Sequence, residues 1–248
     1  MVTDPATDAI LTLDNIVAGY GKMTILHGTT FSVARGTITT VIGPNGAGKS
    51  TVFKTVFGML PTRAGRVLFD GAEITNLSPR ELIARGISYV PQGRNIFPEL
   101  SVHHNLELGA VMAPAGFDLA GRMDAAMDRF PVLRRKANAQ ASTLSGGEQK
   151  MLEIARALLL EPKLMMIDEP SIGLSPILVN ELFATLSEMR DRGITVLMIE
   201  QNAKRALEIS GHGIVLELGR TRIADSAQSI LADPRIGQLF LGGVLERE

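Results

Sequence analysis

Cysteine is absent from this sequence, so neither disulfide bonds nor thiolate metal sites can take part in its structure or chemistry. Histidine is scarce, at four residues. His103 and His104 are adjacent, a poor spacing for joint metal ligation on a helix; they read as the first turn of a helix capped by Ser101. Neither sign of charge is in excess. The net charge of −1 and the lack of a long basic run argue against a dedicated nucleic-acid binder. No apolar run approaches the roughly 18 residues of a membrane span. Met1-Val2-Thr3-Asp4-Pro5 lacks the basic region and apolar core of a secretory signal. Internal repeats and low-complexity stretches are also missing. What is there is 45% hydrophobic content in 248 residues, enough to bury a substantial core in one domain. The expectation is a cytoplasmic protein that reaches a membrane only through partners.

The first positive signal is Gly43-Pro44-Asn45-Gly46-Ala47-Gly48-Lys49-Ser50-Thr51, which fits G-x-x-x-x-G-K-[ST]. The fixed positions alone arise by chance in roughly one chain in a hundred of this length, so context decides. Thr37-Ile38-Thr39-Thr40-Val41-Ile42 is β-branched and mostly apolar, so it reads as a buried strand. Ser50 to Leu60 has helical spacing, with Val52, Val56 and Met59 or Leu60 on one side. Strand, glycine-rich loop, helix is the context of a phosphate-binding loop. In it backbone N–H groups curl around phosphate, Lys49 brings a compact positive charge, and the Ser50 hydroxyl suits Mg²⁺.

Two further segments extend that chemistry. Lys163-Leu164-Met165-Met166-Ile167 is a short apolar run ending in Asp168-Glu169-Pro170. A parallel strand that ends in two acids presents them at the carboxyl edge of the sheet. Neighbouring side chains then diverge, so Asp168 can hold Mg²⁺ while Glu169 serves as general base for water. Leu144-Ser145-Gly146-Gly147-Glu148 opens a helix and offers a second set of free N–H groups at a positive dipole end. If it cannot reach the first loop within one chain, it can do so across a dimer, with ATP between the subunits.

Taken together, these segments resemble the ATP-binding-cassette family, the nucleotide-binding subunits of transporters. The resemblance covers nearly the whole chain. Gly43–Thr51 matches its Walker A motif, Leu144–Glu148 with Gln149 its signature, and Leu164–Glu169 its Walker B motif. Gln92, after Ile87-Ser88-Tyr89-Val90, matches its Q-loop glutamine, a further group for Mg²⁺ or water on closure. Tyr20 stands where the family has an aromatic that stacks on adenine. The resemblance implies an α/β fold: a P-loop nucleotide-binding domain with an N-terminal antiparallel β subdomain and an inserted α-helical subdomain. It also implies a head-to-tail dimer gripping ATP, with a copy of itself or a paralogous ATPase. Integral-membrane permease subunits, and indirectly a periplasmic or extracellular solute-binding protein, would be its partners. The chain would then lie peripherally on the inner face of the cell membrane.

Two departures sharpen the comparison. Where the family usually has a histidine, Ile194-Thr195-Val196-Leu197-Met198-Ile199 leads through Glu200 to Gln201. Its amide can donate to a γ-phosphate but cannot titrate; the plainer reading is a cap for a helix beginning near Asn202. In Ser171-Ile172-Gly173-Leu174-Ser175 the usual terminal aspartate is Ser175, followed by Pro176. That pair reads equally as an N-cap with proline at N1. Ile199-Glu200-Gln201-Asn202-Ala203, the Tyr89–Pro98 segment and Phe240-Leu241-Gly242-Gly243 resemble the ATPases of branched-chain amino acid importers. Urea and short-amide importer ATPases are the near alternative. A soluble ATPase of the family not tied to transport and a scaffold without turnover are the remaining readings.

Elsewhere the organisation is a core of about 1–92 and 144–248 with a helical insertion of about 93–143. Ile10–Val33 offers short alternating strands, and Asp70-Gly71 is a hairpin turn. Ser78-Pro79-Arg80-Glu81 is a capping box that starts a helix ending before Gly86. Ser101–Lys136 is helical, broken near Pro114–Gly116, and forms either a packing face or a partner surface. Met151, Ile154, Ala155, Leu158 and Leu159 mark a packed helix after Ser145 that runs to Leu160. A helix is expected from Ser175 to about Arg192, a strand over Gly213–Leu218, a turn at Leu218-Gly219-Arg220 and a helical segment over Ser226–Leu241.

Overall fold

The computed structural model describes residues 8–236. Ile38–Ile42 (β3), Leu164–Asp168 (β7) and Thr195–Ile199 (β8) are buried at every position, as parallel strands covered on both faces must be. With Ile87–Val90 (β6), His212–Glu217 (β9) and Arg220–Ser226 (β10) they form a sheet in the order β10-β9-β3-β8-β7-β6. Its pairings are parallel except for the antiparallel β9–β10 hairpin. Alternation sorts the side chains: Met166, Leu197 and Ile199 join one core cluster, while Met165, Ile167, Val196 and Met198 join another. The first cluster is shared with a second, antiparallel sheet, β2-β1-β4-β5, built from Ala9–Ala18 (β1), Leu26–Ala34 (β2), Thr62–Phe69 (β4) and Ala72–Glu73 (β5). The Asp70-Gly71 turn joining β4 to β5 has φ of 51° and 77°, the left-handed pair that a two-residue hairpin needs.

The helices follow their caps. Pro79–Ala84 (α2) has the capping box of Ser78 and Glu81. Val102–Leu108 (α3) is capped by Ser101, whose hydroxyl accepts from the His104 N–H. Within 93–143 the regular elements are helical: α3, Leu119–Arg129 (α4), Pro131–Arg135 (α5) and a 3₁₀ turn at Ala141–Thr143. They pack their Leu106, Met123, Met127, Phe130 and Leu133 into the second cluster. Gly146–Leu158 (α6) supplies Leu152, Ile154 and Ala155 to the same cluster.

Several expectations need correction. Lys49–Val56 (α1) stops four residues short of Leu60, because the chain turns at Phe57 and Gly58, where φ is +69°. The helix α6 also ends before Leu160, ahead of Pro162, which cannot continue it. Ser175 sits at the N-cap of Pro176–Asp191 (α7), but its hydroxyl makes no cap hydrogen bond. The edge strand β10 was not anticipated; its residues are mostly half-buried or exposed, so it lacks a clean hydrophobic pattern. After it, Ala227–Ala232 (α9) is helical, the run breaks at Asp233 and is helical again over 234–236; the rest of the expected segment lies outside the described residues. The Phe240-Leu241-Gly242-Gly243 run and the first five residues lie outside the described residues.

Candidate functional site

Parallel pairing brings the carboxyl ends of β3, β7, β8 and β6 to one edge of the sheet, so the loops that follow them converge. Gly43 follows β3, Asp168 ends β7, Glu200 follows β8, and Gln92 lies two residues beyond β6. A cavity of about 350 Å³ lies there, lined by Ile25, Asn45, Gly46, Gly48, Lys49, Ser50, Thr51, Gln92, Glu169 and Gln201.

The loop between β3 and α1 depends on glycine. At Gly43, φ is +152° and a Cβ would stand 2.1 Å from the Leu216 carbonyl oxygen. At Gly48, φ is +100°, and no side chain caps the helix that starts at Lys49. The first-turn N–H groups of α1 are therefore left for a ligand. Lys49 is buried, with its Nζ donating to the carbonyls of Gly43 at 2.8 Å and Pro44 at 3.1 Å. Burial lowers its pKa, and the charges of Glu169 and Asp168 partly restore it. A desolvated ammonium among carbonyls and free N–H groups suits phosphate.

Asp168 and Glu169 divide as their alternation requires. Asp168 is buried, and its Oδ1 has no hydrogen-bond partner among the described residues. Its Oδ2 lies 3.5 Å from the Tyr89 hydroxyl. Burial raises the Asp168 pKa, opposed by the Ser50 hydroxyl and reinforced by Glu169. An orphaned carboxylate oxygen beside Ser50 fits a hard divalent cation such as Mg²⁺, which takes oxygen ligands. The sign of the shift gives a test. An acid whose pKa is raised on folding destabilises the fold once ionised, and the loss grows as pH rises through that raised pKa. Asp168→Asn should therefore raise the melting temperature of the nucleotide-free chain at neutral pH. The gain should vanish below the ordinary carboxylate range. A melting curve unchanged or lowered at neutral pH would contradict it.

Glu169 has left-handed backbone, with φ of +48°, a conformation costing a non-glycine residue on the order of 1 kcal/mol or more. It is held there from three directions. Its N–H donates to the Ile199 carbonyl at 2.9 Å. Gln92 Nε2 donates to Oε2 at 2.7 Å, and Gln201 Nε2 lies 3.0 Å from both carboxylate oxygens. Gln92 thus already touches the general-base candidate, a contact that its expected role toward Mg²⁺ or water did not include. Gln201 is not a helix cap either; Asn202 caps Ala203–Glu208 (α8).

Other expected residues stay apart. Tyr20 is 46% exposed and does not line the cavity; the Lys54 ammonium lies 5.7 Å from its ring centroid. Ser145, Gly146, Gly147 and Glu148 do not line it either. The Ser145 hydroxyl accepts from the Glu148 N–H at 3.3 Å, and Glu148 Oε2 accepts from the Ser145 N–H at 2.8 Å, a capping box. Lys136 Nζ lies 2.8 Å from both Glu148 oxygens. Ser145 and Gly146 are both exposed.

Sequence reasoning missed three supports. Glu200 is buried and accepts from the Ser171 N–H at 2.9 Å, the Ser171 hydroxyl at 2.7 Å and the Gln201 N–H at 3.2 Å. It joins the loop after Glu169 to the loop bearing Gln201. Burial raises its pKa against these donors. The rule that singled out Asp168, an acid closing a buried apolar strand, could have found it. Tyr89 packs edge-on against Phe53 and tilted on Phe57, and burial pushes its phenol pKa well up, so it remains a donor. The charged face of α6 holds the Gln92 loop: Glu153 Oε1 accepts from the Asn95 N–H at 2.6 Å, Lys150 Nζ reaches Gly93 O and Glu153, and Arg156 donates to Asn95 O.

With this geometry established, comparison with known proteins gives a consistent answer. Residues 26–172 match the family model described as ABC transporter. The chain is 38% identical to the high-affinity branched-chain amino acid transport ATP-binding protein BraG of Pseudomonas aeruginosa, over 94% of this chain and 100% of that one. It is 39% identical to the probable branched-chain amino acid transport ATP-binding protein LivF of Archaeoglobus fulgidus, over 91% of this chain and 95% of that one. The lipopolysaccharide export system ATP-binding protein LptB of Escherichia coli is 32% identical, over 94% and 98%. Among solved structures, the ADP conformation of MJ1267, an ATP-binding cassette of an ABC transporter, superposes with a TM-score of 0.84 at 31% identity, covering 95% of this chain and 99% of that one.

Proposed function

This chain belongs to the ABC transporter family and is an ATPase whose hydrolysis is coupled to transport, and from that premise we propose that it powers import of branched-chain or related amino acids. The observation that carries the enzymatic part is the Glu169 carboxylate, fixed by Gln92 and Gln201 beside Lys49 and the glycine loop. In this reading Gly43–Thr51 cradle the phosphates, Lys49 leaves its carbonyl partners for the β- and γ-phosphates, and Tyr20 meets the adenine. Glu169 takes a proton from water as the water oxygen attacks the γ-phosphorus and the bond to the β-phosphate oxygen breaks. Asp168 and Ser50, with Gln92, would hold Mg²⁺, which neutralises phosphate charge when bound. Gln201 orients Glu169 without exchanging protons. The Ser145–Glu148 turn, remote from the cleft within one chain, completes the site of a second copy or of a paralogous ATPase. The helical insertion of about 93–143 and the Gln92 loop form the surface toward permease subunits at the inner face of the membrane, with a solute-binding protein upstream.

Branched-chain substrates are favoured over lipopolysaccharide export by the identities of 38% and 39% against 32%. Disruption of the gene should abolish most high-affinity leucine uptake, and the wild-type chain should restore it. Unchanged leucine, isoleucine and valine uptake with lost urea or short-amide uptake would move the substrate to the alternative. Unchanged uptake of all of them would remove the import reading.

A further inference from the structure

A second cavity, of about 540 Å³, lies at the opposite edge of the parallel sheet from the glycine loop. Its walls come from three places: α4, the connection from α6 into β7, and the connection from α7 into β8. Ala125, Ala126, Leu158, Leu159, Pro162 and Ile194 make it partly apolar. Its charged lining is Arg122, Arg129, Lys163 and Arg192 against the single carboxylate of Glu161.

Two of these cations are already matched. Arg122 pairs with Glu161, and Lys163 Nζ lies 2.7 Å from Asp70 Oδ2. Neither Arg129 nor Arg192 makes a side-chain hydrogen bond or ion pair among the described residues. Arg129 is half-buried and feels the like charge of Arg192; Glu188 is the carboxylate that opposes this. Two guanidinium groups thus face one walled space, with the only carboxylate in its lining already occupied. Guanidinium forks match phosphate oxygens in pairs, and the cavity lies within the range of small-ligand sites.

We propose that this cleft binds a compact phosphate-bearing anion through Arg129 and Arg192. Because α4 belongs to the helical insertion and the other walls belong to the sheet, the ligand bridges the two parts of the fold. Its affinity is then linked to their relative orientation.

The test is calorimetric titration of the full chain carrying Lys49→Ala, which removes the glycine-loop cation, with inorganic phosphate and with glycerol 3-phosphate at low salt. Saturable binding at one site is expected, weakened at least about tenfold by Arg129→Gln with Arg192→Gln. Arg80→Gln with Arg135→Gln, removing equal charge elsewhere, should leave it within about twofold. The wild-type chain with its glycine loop filled by ADP provides the same readout if Lys49→Ala does not fold. Absence of saturable binding of both probes, equal affinity in the Arg129/Arg192 variant, or equal weakening by the charge control each overturns the proposal.

Discussion

Glu169→Gln should slow ATP hydrolysis at least about 100-fold while leaving ATP binding intact. The side chain keeps its shape and its oxygen can still accept from Gln92 or Gln201, so the cleft keeps its geometry. What it loses is the capacity to take a proton from water. The variant should accumulate as an ATP-bound dimer, visible as an ATP-dependent shift in size-exclusion chromatography, because the step that opens the dimer no longer follows. Gln201→Ala removes one of two amides on the same carboxylate and leaves Gln92 in place, so its loss should be modest, on the order of tenfold or less. Phosphate release measured side by side separates the two. A Glu169→Gln enzyme of near wild-type turnover, or equal and near-total losses in both variants, would contradict these roles.

Lys49→Ala should act one step earlier, by weakening ATP binding itself. The ammonium holds two loop carbonyls in the free chain, and burial depresses its pKa. Its charge is therefore a cost to the nucleotide-free fold that an anion relieves. Charge-assisted hydrogen bonds contribute about 1.5–3 kcal/mol each, and losing them at the phosphates should weaken ATP binding by about 100-fold or more. The check is thermal: ATP should raise the melting temperature of the wild-type chain with the logarithm of ligand concentration above its Kd, and that rise should disappear in the variant. Tight ATP binding retained by Lys49→Ala would contradict the cradle assignment. The two substitutions thus distinguish binding from turnover at one cleft.

Much of this was legible along the chain because the relevant signals are local. The glycine loop needs backbone that only glycine adopts easily, as at Gly43 and Gly48. Ser78–Glu81 is a capping box whose donor and acceptor lie three residues apart, and Asp70-Gly71 is a turn of two residues. The strands β3, β7 and β8 are buried throughout and mostly apolar, and each leads into a loop at the candidate site. Less legible were contacts made between segments far apart in sequence. The Gln92–Glu169 and Gln201–Glu169 bonds span 77 and 32 residues. The Asn95–Glu153 bond that holds the Gln92 loop to α6 spans 58.

The sequence by itself determined the chemistry: a phosphate loop, two acids closing a strand, and a serine-glycine turn opening a helix, each set by residue type at fixed short spacing. Only the tertiary structure decided which groups meet. Strand order β3-β8-β7-β6 puts Gln201 and Gln92 on the Glu169 carboxylate, and leaves Ser145 spent on its own helix cap. The physical reason is that hydrogen bonding within a helix cap or tight turn depends on neighbours in the chain, whereas convergence of loops at a sheet edge depends on pairing between distant strands. The tertiary structure also places Arg129 and Arg192, which make no side-chain hydrogen bond or ion pair among the described residues, around a cleft at the far edge, a juxtaposition that no local pattern encodes.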